Sequence, residues 1–153
     1  PWKITIDPGH GGHDPGTVNR RTGAREKDIV LAVGRKLAEE LRRRPGFEVE
    51  LTRDDDRFIP LKERPKRART SGSDLFVSIH VNAEPNGGTR ANGFETYFLS
   101  PARTDESSRV ARLENSVLEL EGETLDFEGE ATIDKNVSMI VLDGNRDVSQ
   151  DLG

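Results

Sequence analysis

Seven residues near the middle of the chain, Leu75-Phe76-Val77-Ser78-Ile79-His80-Val81, are nearly all apolar. A strand of that kind has no face to give to water, so it belongs inside a sheet covered on both sides. The segments before it fit the same architecture. Residues 3–7 alternate polar and apolar and read as a first strand, which stops at Asp7-Pro8-Gly9-His10-Gly11-Gly12, where proline and glycine break regular structure. From Glu26 the period becomes helical, with Ile29, Val33, Leu37 and Leu41 forming a stripe that Val30 and Ala38 widen. Glu26 and Asp28 in its first turn and Arg42, Arg43 and Arg44 in its last complement the helix dipole, and Pro45-Gly46 ends it. Residues 47–52 read as a second strand. Residues 61–70 read as a second helix that Pro65 must kink or confine to later residues. Further on, residues 93–99 suit a fourth strand, 107–120 a helix and 133–142 a short helix or helical turn.

Strands alternating with helices predict an α/β fold, a mixed and largely parallel sheet flanked by helices. In such sheets ligands gather at the carboxyl ends of the strands. His10 falls just past the first strand, His80 at the end of the third, and Glu26 opens the helix that follows the first. All three are expected at one sheet edge. Two imidazoles and a carboxylate are a recognised ligand set for a hydrolytic zinc, which leaves the ion one open position. Each residue also has a plainer reading. His10 alone suits a cap or a surface position, and Glu26 alone suits a carboxylate placed for the helix dipole. His80 ends an apolar strand, where a buried imidazole needs a partner. His13, in a polar loop, is expected to be exposed or near a substrate. The glycines beside His10 would leave room for a substrate to approach a metal.

Composition narrows the class. The 153 residues suffice for one domain. They contain no cysteine, so any metal site must use imidazole and carboxylate. No apolar run approaches the roughly 18 residues of a membrane span. No basic stripe with interleaved aromatics suggests a nucleic-acid partner. Pro1 leads almost directly into a strand, which predicts a chain trimmed at its N-terminus, with any export signal upstream. Charge is uneven. Residues 105–153 carry 13 acidic and 4 basic side chains, whereas residues 1–104 carry 15 and 19. A mildly basic body is thus followed by an acidic segment.

The string Ile6-Asp7-Pro8-Gly9-His10-Gly11-Gly12 with Asp14-Pro15-Gly16 resembles the opening of the zinc-dependent N-acetylmuramoyl-L-alanine amidases that separate bacterial daughter cells. Glu26-Lys27-Asp28 resembles that family's second motif. Leu51-Thr52-Arg53-Asp54 and the stretch from Leu61 to Arg64 resemble its second strand and following helix start. Ser78-Ile79-His80-Val81-Asn82-Ala83 and Gly93-Phe94-Glu95-Thr96-Tyr97 resemble two later motifs. The resemblance runs in order from Trp2 to about Leu120. It implies that His10, Glu26 and His80 hold Zn2+. It also implies that the substrate is peptidoglycan, cut at the amide between the lactyl group of N-acetylmuramic acid and L-alanine, in the periplasm or cell envelope. Asn82 would orient substrate or the site. Glu95 is either a catalytic carboxylate or, on the plainer reading, a hydrogen-bonding partner. Arg53 would make a structural salt bridge more readily than a substrate contact.

Two departures from the family pattern stand out. Members usually carry a further catalytic glutamate in a segment like Val-Glu-x-x-Phe-x-Ser-Asn, and nothing like it precedes Gly153. The expectation is a domain truncated before that glutamate, lacking its final strand. Residues 1–120 would then form the core of the catalytic domain. Residues 121–153 would begin an inserted segment that plugs the metal site until an activator protein displaces it, with Glu128, Asp143 and Asp147 as the candidate plugs. The plainer reading of that segment is a solvated acidic loop. Two rival functions stay open, another zinc peptidase or deacetylase and a non-catalytic peptidoglycan-binding or regulatory relative.

Overall fold

The computed structural model describes residues 1–81 and Thr96. Within them the chain runs β1 (Trp2–Pro8), α1 (Glu26–Arg42), β2 (Phe47–Leu51), α2 (Glu63–Ser71) and β3 (Leu75–Ile79). The strands form one sheet in the order β2-β1-β3, and both pairings are parallel. The central strand is β1, and β3 lies beside it as a largely buried neighbour. The strand expected at 93–99 (Thr96 apart), the helices expected at 107–120 and 133–142, and the acidic segment 121–153 lie outside the described residues.

Alternation along β1 divides the sheet into two chemically different faces. Ile4 and Ile6 point to one side and join Val30, Ala38, Val77 and Ile79 in a buried apolar cluster, with Leu37, Leu41, Val49 and Leu51 packed against it. This face carries α1. Thr5 and Asp7 point to the other side, toward α2. There Thr5 hydrogen-bonds Glu50 and Ser73, while Asp7 meets Thr52, Ser78 and Arg64. The α1 face therefore supplies hydrophobic stabilisation, roughly 1.5–3 kcal/mol for a side chain as buried as Ile6. The α2 face is tied by directional polar contacts.

The buried line of α1 differs from the expected stripe. Val30, Gly34 and Ala38 are buried and Leu37 and Leu41 partly so, whereas Ile29 and Val33 are 40% and 38% exposed. The reason is Gly34. A Cβ there would lie 2.8 Å from Pro8 Cγ and 3.6 Å from Ile6 Cγ2 and Leu51 Cδ2. The helix sits so low on the sheet that its contact line follows the residue with no side chain. A hydrophobicity count reads glycine as neutral and misses this.

Pro65 does not kink α2. It is the third residue of the helix, in the first turn, where its missing N–H has no intrahelical acceptor to lose. The register then delivers the site. Pro8 pairs with Ile79 and Ile6 with Leu51, so the strands end together, and His10 and His80 leave the same edge a residue or two later.

The close approach at Gly34 gives a direct test. Gly34→Val should lower stability by about 2 kcal/mol through overpacking against Pro8, even though the helix gains roughly 0.5 kcal/mol by losing a glycine. A urea titration should show a lower midpoint at unchanged slope. An unchanged or higher midpoint would mean that α1 and β1 are not in the contact described.

Candidate metal centre

Three segments converge beyond the carboxyl end of the sheet. His10 arrives on the glycine-rich loop after β1, Glu26 is the first residue of α1, and His80 follows β3 directly. Glu26 and His80 are buried and His10 is nearly so. His10 Nε2, His80 Nδ1 and Glu26 Oε1 stand 3.2 Å apart on every side of the triangle. A tetrahedral ion with ligand bonds of about 2.0–2.1 Å has edges of about 3.3 Å. The donor set can therefore hold a divalent metal ion with one position left open.

Glu26 and His10 are each aimed by backbone or carboxylate partners. Val81 N–H donates to Glu26 Oε1 (2.8 Å) and Thr17 N–H to Oε2 (2.8 Å), which fixes the plane of the carboxylate. His10 Nδ1 donates to Asp14 Oδ2 (2.8 Å), so Nε2 is the ring nitrogen that faces Glu26 and His80. Asp14 is itself oriented by Gly16 N–H (3.0 Å). A carboxylate behind a ligating imidazole fixes its tautomer and raises its basicity. Asp14 is thus a candidate supporting residue of this cluster that spacing alone did not identify. The signal available was an acidic residue four positions after His10, in a loop whose bends would return it to the ring.

Gly9 and Gly16 make room for the ligand cluster itself, while Gly11 and Gly12, expected to leave space for a substrate, lie against Arg57 O and Phe58. A Cβ at Gly9 would overlap the His80 ring, and one at Gly16 would lie 2.6 Å from His10 Cδ2 and 2.8 Å from Glu26 Oε2. His10 has a left-handed backbone, with φ of 58°, and Gly11 and Gly12 follow at 125° and 59°. For a residue with a side chain this costs on the order of 1–2 kcal/mol. The surroundings must hold it there.

Electrostatics match the geometry. Burial pulls the His10 pKa down, but hydrogen bonds to Asp14 and Glu26 and the charge of Glu26 outweigh it, leaving the pKa raised to about 9. Burial pushes Glu26 up, yet its hydrogen bonds to His10 and His80 hold it well below the usual carboxylate range. Asp14 is likewise lowered, its burial overcome by the bond from His10.

The other expected site residues fall in different places. Arg53 is fully buried, and its polar contacts are to the backbone carbonyls of Pro8, Gly9, Lys27 and Asp55 rather than to a carboxylate. His13 is exposed at the rim, its ring 4.2 Å from that of Phe58. Asn82 and Glu95 lie outside the described residues, as do Glu128, Asp143 and Asp147.

Comparison with known proteins gives a consistent result. Residues 4–138 match the family model for N-acetylmuramoyl-L-alanine amidase. The chain is 45% identical to an endolysin of Bacillus phage SPP1 over 94 residues, 61% of this chain and 32% of that one. It is 43% identical to the N-acetylmuramoyl-L-alanine amidase AmiC of Escherichia coli O6:H1 over 91 residues, 57% of this chain and 22% of that one. The crystal structure of an N-acetylmuramoyl-L-alanine amidase from Clostridium difficile 630 superposes with a TM-score of 0.67 at 35% identity, covering 93% of this chain and 78% of that one. The chain spans half or less of the length of the curated relatives compared. Among the described residues, no helix is long and apolar enough to cross a membrane.

Proton competition at His10 sets the pH dependence of metal binding. Its pKa is raised from 6.5 to about 9, so below pH 9 an incoming ion must displace a proton. Apparent affinity should rise about tenfold per pH unit between pH 6.5 and 8.5 and level off above 9. Calorimetric titration in buffers of different ionisation enthalpy should show about one proton released per ion at pH 7. Asp14→Asn should weaken metal binding by about 10- to 100-fold. A pH-independent affinity would rule out the proton-bearing imidazole.

Proposed function

The chain belongs to the N-acetylmuramoyl-L-alanine amidase family, and on that premise we propose that it acts in hydrolysis of the amide joining N-acetylmuramic acid to L-alanine in peptidoglycan. His10, Glu26 and His80 would hold Zn2+. The observation that carries this reading is the 3.2 Å triangle of two imidazole nitrogens and one carboxylate oxygen, backed by a second carboxylate. Nitrogen and oxygen donors in a tetrahedral spacing favour zinc over the hard, oxygen-seeking ions, and no thiolate competes. Zinc bound there supplies Lewis acidity to a scissile carbonyl and to an attacking water.

The chain's own residues account for the rest of the ligand geometry. Asp14 accepts the His10 proton on Nδ1, so Nε2 is the nitrogen freed as a metal ligand when the imidazolium gives up its second proton. Thr17 and Val81 hold one oxygen of Glu26 each, so the carboxylate presents Oε1 without rotating. Gly9 and Gly16 let the two rings and the carboxylate crowd together. Proton transfer to the leaving amine needs a further group. Glu95 is the candidate this chain offers, and Asn82, next to the His80 segment, is the candidate for orienting the substrate. A peptidoglycan substrate places the protein in the cell envelope or periplasm, in cell-wall remodelling and daughter-cell separation.

Incubation of the zinc-loaded chain with purified peptidoglycan should release stem peptides with free L-alanine amino ends, identified by mass spectrometry. Glu26→Gln and His80→Ala should reduce release to the level of the chelator-treated protein. Glu95→Gln, if Glu95 moves the proton, should lower turnover by about 100-fold or more while leaving bound zinc unchanged. Peptides cut at another bond would indicate a different zinc peptidase. Full zinc occupancy with no product would make this chain a binding module.

A further inference from the structure

Two buried arginines lie beneath the ligand cluster, and both bind the carbonyl of Pro8, where β1 ends. Arg53 Nε donates to it at 2.9 Å and Arg64 Nη1 at 3.1 Å. From that shared point they reach in different directions. Arg53 Nη2 donates to Gly9 O (2.7 Å) and to Lys27 O (2.9 Å), so one guanidinium joins the loop before His10 to the first turn of the helix that begins at Glu26. Arg64 Nη2 donates to His10 O (2.9 Å), and its Nη1 to Asp7 Oδ1 (3.0 Å). The second oxygen of Asp7 accepts from Ser78 Oγ (3.0 Å), two residues before His80. Arg64 itself is anchored through Nε to Ile59 O (2.9 Å).

We propose that Arg53 and Arg64 are positioning residues of the metal centre. Arg53 sets His10 against Glu26, and Arg64, through Asp7 and Ser78, sets His10 against His80. The proposal rests on reading those three residues as metal ligands. The two arginines hold the segments by their backbones, and their hydrogen bonds go to none of the three ligand side chains. The device answers a specific need. His10 sits in a left-handed conformation at the head of three successive positive φ angles, and Arg64 grips the carbonyl of that same residue. Arginine suits the task because its planar fork donates in several fixed directions at once. Lysine keeps the charge but is a single point donor, so it cannot span Pro8, Gly9 and Lys27 together.

The test uses Co2+, whose visible absorption reports coordination geometry directly, on the full chain. The unaltered protein should bind one Co2+ with the intense bands of a four-coordinate site. Arg53→Lys and Arg64→Lys should each raise the Co2+ dissociation constant about 10- to 100-fold and weaken or shift those bands. Ile4→Ala, a core truncation on the α1 face, serves as a control: its loss of Tm should leave the spectrum and the dissociation constant unchanged. Should Arg64→Lys fail to fold, Ser78→Ala keeps both arginines, cuts the Asp7 link to β3, and should still raise the dissociation constant about tenfold. If the unaltered protein binds no Co2+, the ligand assignment itself falls. If it binds and the lysine variants match it in affinity and spectrum, or the control loses affinity as they do, the positioning role is overturned.

Discussion

Burying a guanidinium is tolerable only when its donors are satisfied, and that requirement organises this end of the molecule. Arg53 is fully buried and Arg64 nearly so. Backbone carbonyls lie where chain segments leave regular structure, and the site edge of a parallel sheet is where such segments meet. Pro8, Gly9, His10, Lys27, Asp55 and Ile59 each contribute one. The arginines and the loops are therefore mutually dependent. The loops satisfy the cations, and the cations hold loops that glycine would otherwise leave free.

The two faces of the sheet divide the work. The α1 face is apolar and closely packed, with Gly34 drawn down onto Pro8 and Ile6. Apolar contacts stabilise and fix how closely the helix approaches, but they are non-directional and do not aim individual polar atoms. The α2 face joins β1, β2 and β3 through Asp7, which accepts from Thr52 at 2.6 Å, Ser78 at 3.0 Å and Arg64 at 3.0 Å. Such bonds contribute modestly each but are strict in distance and angle. A ligand triangle with 3.2 Å sides needs that strictness, and it stands at the end of the sheet where Asp7 lies.

Much of this was legible in the sequence because it depends on periodicity and on where strands stop. The parallel α/β order, the approximate limits of five elements, and the convergence of His10, Glu26 and His80 on one edge all follow from those signals. The rest depends on three-dimensional contact. The rotation of α1 away from Ile29 and Val33 comes from a glycine that hydrophobic counting ignores. Pro65 looked like a breaker because its place within the first turn depends on where the helix begins. Arg53 looked like half of a salt bridge because charge suggests a charged partner, whereas carbonyl partners leave no trace in a list of residues. The contacts of Arg64 with His10 O and of Asp14 with His10 Nδ1 exist only once the loop closes.

The choice of carbonyls as partners also protects the ligands. Asp7, Asp14 and Glu26 are buried carboxylates, and Arg53, Arg64 and Lys27 are buried cations. Direct pairing among all six would neutralise the groups that imidazoles and a metal ion need. Instead, among the described residues, Arg64 is in ion-pair contact with Asp7, on the far side of β1, while Lys27 is drawn outward to Asp56 and Gly12 O, both at 2.7 Å. Among the described residues, Arg53 engages no carboxylate within ion-pair distance. Glu26 and Asp14 are left to His10 and His80, so their charge remains directed at the site. Rigidity from cations usually draws on the nearest carboxylates; here it comes from the backbone, and Glu26 and Asp14 keep their negative charge directed at the imidazoles they face.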